Sequence, residues 1–259
     1  TAAFGLPLLQ NLVTAAARNK AEMRAKPRHP RSLILAPTRE LALQIHGELE
    51  RLGGDSNMNY VCVIGGVNQN PQVKKLRGGV DILVAAPGRL LDLMNQGHVS
   101  LSETQFLVLD ECDRLLDMGF IHDIKRILAM LPSQRQNLLF SATFSDEIRE
   151  LAKNFIHNPV EVSVTPQNSS AKTVKQWLVP VDKKKKPALL AHLITSEQWG
   201  QVLVFTKTKH GANRLTRYLE ERGISAAAIH GNKSQGARTR ALEAFKDHSI
   251  QILVATDIA

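Results

Sequence analysis

Three carboxylates lie within four positions of this chain, directly after a run of apolar residues. Residues 106–109 are Phe-Leu-Val-Leu, and residues 110–113 are Asp-Glu-Cys-Asp. An apolar run without alternation predicts a strand that is buried on both faces of a parallel sheet. Ligands of such sheets bind beyond the carboxyl ends of the strands, so chemistry is expected at the acidic run. Crowded carboxylates repel one another and call for a cation, and magnesium carrying nucleotide phosphates is typical of phosphoryl transfer. The alternative is a strand that ends in a solvated acidic turn.

Length and composition limit the possible classes of protein. The chain has 259 residues, enough for two domains, and its 43% hydrophobic content supports packed cores. The net charge of +9 favours a polyanionic partner, nucleic acid before membrane, and only 5% of the residues are aromatic, which argues against a binder based on stacking. Cys62 and Cys112 fit neither a zinc site nor a disulfide framework, so we expect both to pack as small apolar residues in a reducing cytoplasm. The sequence also predicts neither a membrane span nor a signal peptide.

Strands and helices alternate along most of the chain. The predicted strands are residues 32–36, 60–64, 81–85, 106–109, 137–140, 176–181, 201–205, 225–229 and 250–254. Helices are expected between them, and Pro7 makes two short segments as acceptable as one helix over residues 1–17. This alternation predicts right-handed crossovers and an α/β fold with parallel sheets that helices cover on both faces. Residues 166–173 are polar and lack apolar periodicity, which indicates a linker between two such units in tandem.

Short motifs in a fixed order give the chain a family resemblance. Its first half is similar to the first lobe of DEAD-box RNA helicases, and its second half resembles the second lobe. The matching strings are Ala-Pro-Thr-Arg-Glu-Leu at 36–41, Gly-Gly at 65–66, Pro-Gly-Arg at 87–89, Asp-Glu-Cys-Asp at 110–113, Ser-Ala-Thr at 141–143, Val204-Phe205 with Thr208, His230-Gly231 with Gln235 and Arg238, and Ala-Thr-Asp at 255–257. Any one string is a weak signal, but eight in register span essentially the whole chain. Residues 114–120 look most like the bacterial RhlE-like branch.

The resemblance implies two tandem RecA-like domains, both truncated. Residues 1–165 would form the N-terminal ATP-binding domain without its first strand and most of its phosphate loop. Residues 166–173 would be the linker, and residues 174–259 a truncated C-terminal helicase domain. An arginine-bearing motif is expected beyond the second lobe's Ala-Thr-Asp, so the fragment itself is expected to be inactive.

The acidic motif would bind the nucleotide's metal. By resemblance, Asp110 holds Mg²⁺ through water, and Glu111 orients or deprotonates the attacking water. Asp113 would contact the partner motif or the other lobe. Cys112 occupies a position where the family usually has alanine. Cysteine is small and apolar enough to fit there, so we expect the activity to be modified rather than lost.

Three hydroxyl residues complete the implied nucleotide site. Thr1 resembles the threonine that follows Gly-Lys in the phosphate loop and coordinates magnesium. The alternative is that Thr1 merely begins a helix. Ser141 and Thr143 would bond the acidic motif and the opposite lobe, coupling nucleotide state to lobe closure.

A second set of residues would bind the RNA backbone. Residues 37–39 lie where a strand ends and a helix begins, so N–H groups, a hydroxyl and a guanidinium can take a phosphate. Glycines permit close approach, and the usual threonine before Pro87 is Ala86 here, which removes one hydroxyl contact. The full RNA-binding set is Pro37, Thr38, Arg39, Gly65, Gly66, Gly88, Arg89, Thr208, Gln235, Arg238 and Thr256.

The resemblance implies an ATP-dependent RNA helicase with ATP and Mg²⁺ as cofactors. RNA-stimulated hydrolysis would be coupled to lobe closure and local duplex separation. Recognition of the sugar-phosphate backbone implies little sequence specificity. We expect a monomer with no membrane partner. Two alternatives remain open: an RNA clamp whose nucleotide site has decayed, and a related translocating DNA helicase.

Overall fold

The chain forms two compact units. The computed structural model describes residues 1–18, 26–54, 56–156, 158–163 and 174–256. Unit 1 spans Thr1–Val160 and unit 2 spans Glu161–Ala259. The predicted linker, residues 166–173, lies outside the described residues, so the boundaries at 165 and 174 stay predictions.

Unit 1 is built on a parallel sheet of five strands in the order β2-β3-β1-β4-β5. Its pairing is in register, so Leu35, Ala85, Leu109 and Leu139 lie side by side at the carboxyl end of the sheet. The turns that follow these residues therefore share one edge. The strands are β1 (Ser32–Leu35), β2 (Tyr60–Val63), β3 (Ile82–Ala85), β4 (Phe106–Leu109) and β5 (Gln136–Leu139).

Helices cover both faces of this sheet. Ile34, Val84 and Val108 pack with α1 and α2 on one face, and the alternating residues of the same strands pack with the other helices. Side chains of a strand point alternately to opposite faces, so a strand buried on both faces is apolar throughout. The helices are α1 (Ala2–Arg18), α2 (Arg39–Gly53), α3 (Gln69–Arg77), α4 (Pro87–Asn95), α5 (Cys112–Asp117), α6 (Ile121–Ala129) and α7 (Asp146–Phe155).

Helix α1 continues through Pro7 as one segment. Phe4, Leu8 and Leu12 are almost completely buried on both sides of the proline. Their burial against the sheet outweighs the one intrahelical hydrogen bond that Pro7 cannot donate. The choice between one helix and two is therefore decided by tertiary packing.

Unit 2 contains a parallel sheet of three strands in the order β6-β8-β7. Helices α8 and α9 pack on one face and α10 on the other, which confirms the predicted α/β architecture. No described helix is both long and apolar enough to cross a lipid bilayer. The elements are α8 (Lys186–Ser196), β6 (Val202–Phe205), α9 (Lys209–Glu220), β7 (Ala226–Ile229), α10 (Gln235–Lys246) and β8 (Ile252–Ala255).

The strand predicted over residues 176–181 is wrong. This segment forms no ladder with any described strand. Trp177 is 58% exposed and Leu178 is 97% exposed. A strand needs a neighbour to satisfy its backbone groups, and an apolar sequence alone does not supply one.

Candidate functional site

The predicted site residues of unit 1 all lie at the carboxyl edge of its sheet. Each group follows a different parallel strand, and the shared register brings the strand ends together. In open α/β sheets this edge is where ligands bind. The groups are Pro37, Thr38 and Arg39 after β1, Gly65 and Gly66 after β2, Gly88 and Arg89 after β3, Asp110–Asp113 after β4, and Ser141 and Thr143 after β5.

Thr1 lies near Asp110. The first residue is close enough to the Asp110 carboxyl to act on it electrostatically. Burial raises the pKa of that carboxyl, while the Glu111 N–H, which donates to Asp110 Oδ1 at 3.0 Å, acts to lower it. The rings of Phe4 and Phe140 pack with their centroids 5.3 Å apart. Helix α1 therefore begins beside the ends of β4 and β5, where Asp110 and Ser141 lie.

Glu111 adopts a left-handed backbone conformation, with φ 48° and ψ 56°. Residues other than glycine, asparagine and aspartate rarely occupy this region, and strain of this kind clusters at functional sites. Burial raises the pKa of Glu111, and the carboxylates of Asp110 and Asp113 raise it further, while Arg114 opposes them. The strand-to-helix turn thus holds an exposed carboxylate next to two others.

Asp113 ties the acidic turn to the loop after β5. Its Oδ2 accepts hydrogen bonds from the N–H and the hydroxyl of Thr143 at 3.2 and 3.1 Å. Its own N–H donates to Ser141 Oγ at 3.3 Å. These bonds join Ser141 and Thr143 to the acidic motif inside unit 1. The second contact that the resemblance implies, to the opposite lobe, stays a prediction.

The acidic turn fits a magnesium ion that arrives with a nucleotide. Raised pKa values at Asp110 and Glu111 indicate carboxylates whose negative charge is poorly compensated. Within the described ranges no cluster of three or more His, Cys, Asp or Glu residues could hold a metal ion by itself. Mg²⁺ usually needs no such cluster, because one or two carboxylates, water and phosphate oxygens complete its coordination.

Cys112 is completely buried in the core of unit 1. Burial raises the pKa of its thiol to about 12. The thiol therefore stays protonated at neutral pH and packs as a small apolar group, as predicted.

Arg39 and Gly66 occupy adjoining space. A Cβ at Gly66, where φ is +75°, would collide with the guanidinium of Arg39. The guanidinium is the end of a flexible side chain and could move aside, so it is the positive φ that requires glycine at position 66. Thr38 caps α2 by accepting the N–H of Leu41 at 3.2 Å, so its hydroxyl also has a structural role.

Gln72 is a site residue that the sequence reasoning missed. It is 7% exposed, and its amide bonds both the N–H and the C=O of Ile64 at 3.1 Å. The Nη1 and Nη2 atoms of Arg89 each lie 3.4 Å from the C=O of Val67. Together these two side chains fix the loop that carries Gly65 and Gly66. The available signal was a glutamine four residues before Leu76, on the buried face of α3.

The predicted residues of unit 2 also lie at or just beyond the carboxyl ends of its strands. Thr208 follows β6 and caps α9 through a 3.0 Å bond from the N–H of Gly211. Thr256 follows β8, while Gln235 and Arg238 lie in the first turn of α10. Less than a tenth of Gln235, Arg238 and Thr256 is exposed, so only a small part of each side chain is accessible to a phosphate. Their RNA contacts stay predictions.

Comparisons with known proteins place both halves of the chain in recognised families. The DEAD/DEAH box helicase model matches residues 1–151, and the helicase conserved C-terminal domain model matches residues 185–259. The ATP-dependent RNA helicase dbp3 of Aspergillus terreus is 41% identical over 100% of this chain and 53% of its own length. RhlB of Pseudomonas putida is 43% identical over 89% of this chain and 58% of its own length.

A solved structure agrees with these matches. Saccharomyces cerevisiae Dbp5 bound to RNA and ADP BeF3 is 27% identical, with a TM-score of 0.79 over 95% of this chain and 63% of that one. The chain spans about half the length of the curated relatives it matches. Its relatives include RhlB, so the finer placement in the RhlE-like branch stays a prediction.

Proposed function

Because the chain belongs to the DEAD/DEAH box helicase family, whose model matches residues 1–151, we propose that it supplies the nucleotide- and RNA-binding core of an ATP-dependent RNA helicase. The proposal depends chiefly on one observation. Thr1 lies near Asp110 at the carboxyl edge of a parallel sheet, where Glu111 holds a strained conformation. This is the arrangement expected of a nucleotide site at a strand end.

Each acidic residue has a separate role in the proposal. Asp110, helped by the Thr1 hydroxyl, would hold Mg²⁺ through water, and that ion would neutralise charge on the phosphates. Glu111 would orient the attacking water and accept its proton. A raised pKa suits a general base, because the group then holds a proton more firmly at the moment of transfer. Asp113, fixed by Thr143, would keep the turn in this geometry.

RNA would bind at the same edge through its backbone. Arg39 and Arg89 supply cations there, and the glycines between them leave the loop main chain accessible. Contacts of this kind read phosphate and 2′-hydroxyl groups rather than bases, so little sequence specificity is expected. Hydrolysis would be coupled to closure of the two lobes and local duplex separation, as the family resemblance implies.

We propose a cytoplasmic monomer. Cys62 and Cys112 are both free thiols, which fits a reducing compartment. Sedimentation equilibrium tests the monomer directly.

The test measures ATP hydrolysis by the gene product that contains this chain, with and without single-stranded RNA. We expect RNA to stimulate turnover. The Glu111→Gln variant should keep ATP affinity and lose turnover by about a hundredfold to ten-thousandfold, since a general base alone is worth about two to four orders of magnitude. Wild-type-like turnover in that variant would refute the role of Glu111.

Two further measurements separate the alternative functions. An RNA clamp would bind RNA and show no stimulated hydrolysis in the wild-type protein. A translocating DNA helicase would separate RNA and DNA duplexes of equal length alike. Strict RNA dependence excludes the second case.

A further inference from the structure

One edge of the sheet in unit 2 opens into a groove that the helicase site does not use. Strand β7 is the last strand in the order β6-β8-β7, so one side of its backbone has no neighbouring strand among the described residues. Helices α9 and α10 rise on either side of this edge. Together they enclose a groove with a volume of about 610 Å³, within the usual range for a ligand site. We call it the β7 groove; its floor is residues 226–228 and its walls are α9 and α10.

The floor of the β7 groove presents alternating backbone donors and acceptors. The C=O of Ser225 bonds the N–H of Ile252 at 3.0 Å, so residue 225 faces β8. Successive residues of a strand turn their main-chain groups to opposite sides, so Ala226 and Ala228 direct their N–H and C=O groups away from β8. Within the described part of the chain, neither residue bonds a partner on that side.

Small side chains keep this edge accessible between the helices. Residues 226–228 are three consecutive alanines, and Ala237 and Ala241 of α10 also line the groove. Larger side chains at these positions would fill the space next to the strand. Thr216 of α9 adds a polar group to the wall: it is 9% exposed, and its hydroxyl has no hydrogen-bond partner among the described residues.

The charge of the groove selects an acidic occupant. Arg217 on α9, Arg240 on α10 and Lys233 line it, against the single carboxylate of Glu220. Both arginines are exposed, and no ion pair among the described residues includes any of these three cations. They lie on both sides of the strand edge, where they can reach side chains on either face of an added strand.

We propose that the β7 groove binds an extended acidic segment of a partner protein, which adds to β7 as a further strand. Main-chain hydrogen bonds to Ala226 and Ala228 give the affinity, and acidic side chains pair with Arg217 and Arg240. A peptide is favoured over nucleic acid because it offers both donors and acceptors to the strand edge. A phosphodiester backbone offers mainly acceptors, which the outward C=O groups and Glu220 repel, and no aromatic ring among the described residues lines the groove to stack on bases.

The test uses the 259-residue chain and a short fluorescein-labelled peptide of repeated Val-Glu-Glu units, which places glutamates on both faces of an added strand. Fluorescence anisotropy should detect binding, and the Arg217→Glu/Arg240→Glu variant should weaken it by at least about tenfold, because two attractions become repulsions. A matched control, Arg214→Glu/Lys246→Glu, reverses two charges on the same helices outside the groove. It should bind within about twofold of the wild type.

Two readouts are specific to strand addition. A peptide of the same sequence with alternate backbone nitrogens methylated should not bind, since it lacks the donors for Ala226 and Ala228. Hydrogen exchange at the N–H groups of Ala226 and Ala228 should slow in the complex, while that of Ala227, which faces β8, should not change.

Several results overturn the proposal. These are failure of the acidic peptide to bind, equal binding by the two double variants, and equal binding by the methylated peptide. The groove would instead be a nucleic-acid site if single-stranded RNA binds the wild type, competes with the peptide, and no longer binds the Arg217→Glu/Arg240→Glu variant. None of these measurements depends on ATP, so they stand apart from the helicase test.

Discussion

The strained turn at Glu111 predicts that the site can be made more stable at the cost of its activity. Glu111 holds φ 48° and ψ 56° at the N-cap of α5, with its pKa raised by burial and by Asp110 and Asp113. Three variants separate these two effects. Glu111→Gln removes the charge and keeps an ordinary side chain, Glu111→Asn also tolerates the left-handed region, and Glu111→Gly has no Cβ.

The magnitudes follow from the backbone conformation. A left-handed conformation costs an ordinary residue roughly 1–2 kcal/mol. Asparagine tolerates this conformation and avoids much of that cost, so Glu111→Asn should exceed Glu111→Gln by about 1 kcal/mol in free energy of unfolding. Glycine relieves the strain fully, but its greater chain entropy in the unfolded state removes about 0.5–1 kcal/mol of the gain. We therefore expect the order Asn, then Gly, then Gln, all above the wild type.

Urea unfolding provides the assay. Both tryptophans, Trp177 and Trp199, lie in unit 2, so their fluorescence follows that unit, whereas far-ultraviolet circular dichroism follows both. With an m-value of about 2 kcal/mol/M, the Asn variant should unfold about 0.5 M later than the Gln variant by circular dichroism. The fluorescence transition should not move. Equal midpoints for Asn and Gln would show that Glu111 is not strained and would refute this reasoning.

Three more predictions concern unit 1. Ala86 caps α4 in an extended conformation without a side-chain hydrogen bond, so Ala86→Thr should raise the free energy of unfolding by about 1 kcal/mol in urea titrations. Gln72→Leu leaves the N–H and C=O of Ile64 unsatisfied and should lower it by about 2 kcal/mol, with weaker RNA binding in a filter assay. The pKa values of Asp110 and Glu111 are raised, so the folded state holds their protons more tightly than the unfolded state does. The free energy of unfolding should therefore fall as the pH rises just above the ordinary pKa values of 3.8 and 4.5. The variant Asp110→Asn should flatten that fall.

Each of these predictions has a matched control. Ala86→Val has the shape of threonine without its hydroxyl and should give no gain; a gain equal to that of threonine would exclude capping as the cause. Gln69→Leu, on the same helix as Gln72 but bonded only to an exposed side chain, should change stability by no more than about 0.5 kcal/mol. A pH profile that Asp110→Asn leaves unchanged would show that the Asp110 carboxyl is not destabilised in the folded state.

Much of the fold could be predicted because its signals are local. Apolar runs such as Ile82–Ala85 are buried on both faces, and turn residues separate them from the helices, so strands and their parallel arrangement follow from pattern alone. The same approach failed where a partner decides the outcome. Residues 176–181 have a strand-like sequence but pair with no described strand, and α5, with six residues, is too short to show periodicity.

The sequence by itself determined the acidic motif, its position after a buried strand and the order of the other motifs. Those features depend on residues adjacent in the chain. Only the tertiary structure brought Thr1 to Asp110, set Gln72 against Ile64, and opened the β7 groove between α9 and α10. Strand order and helix packing join residues that are distant in sequence. That is why the sequence shows that Gln72 shares a face of α3 with Leu76 but not that its contacts hold the loop with Gly65 and Gly66 in place.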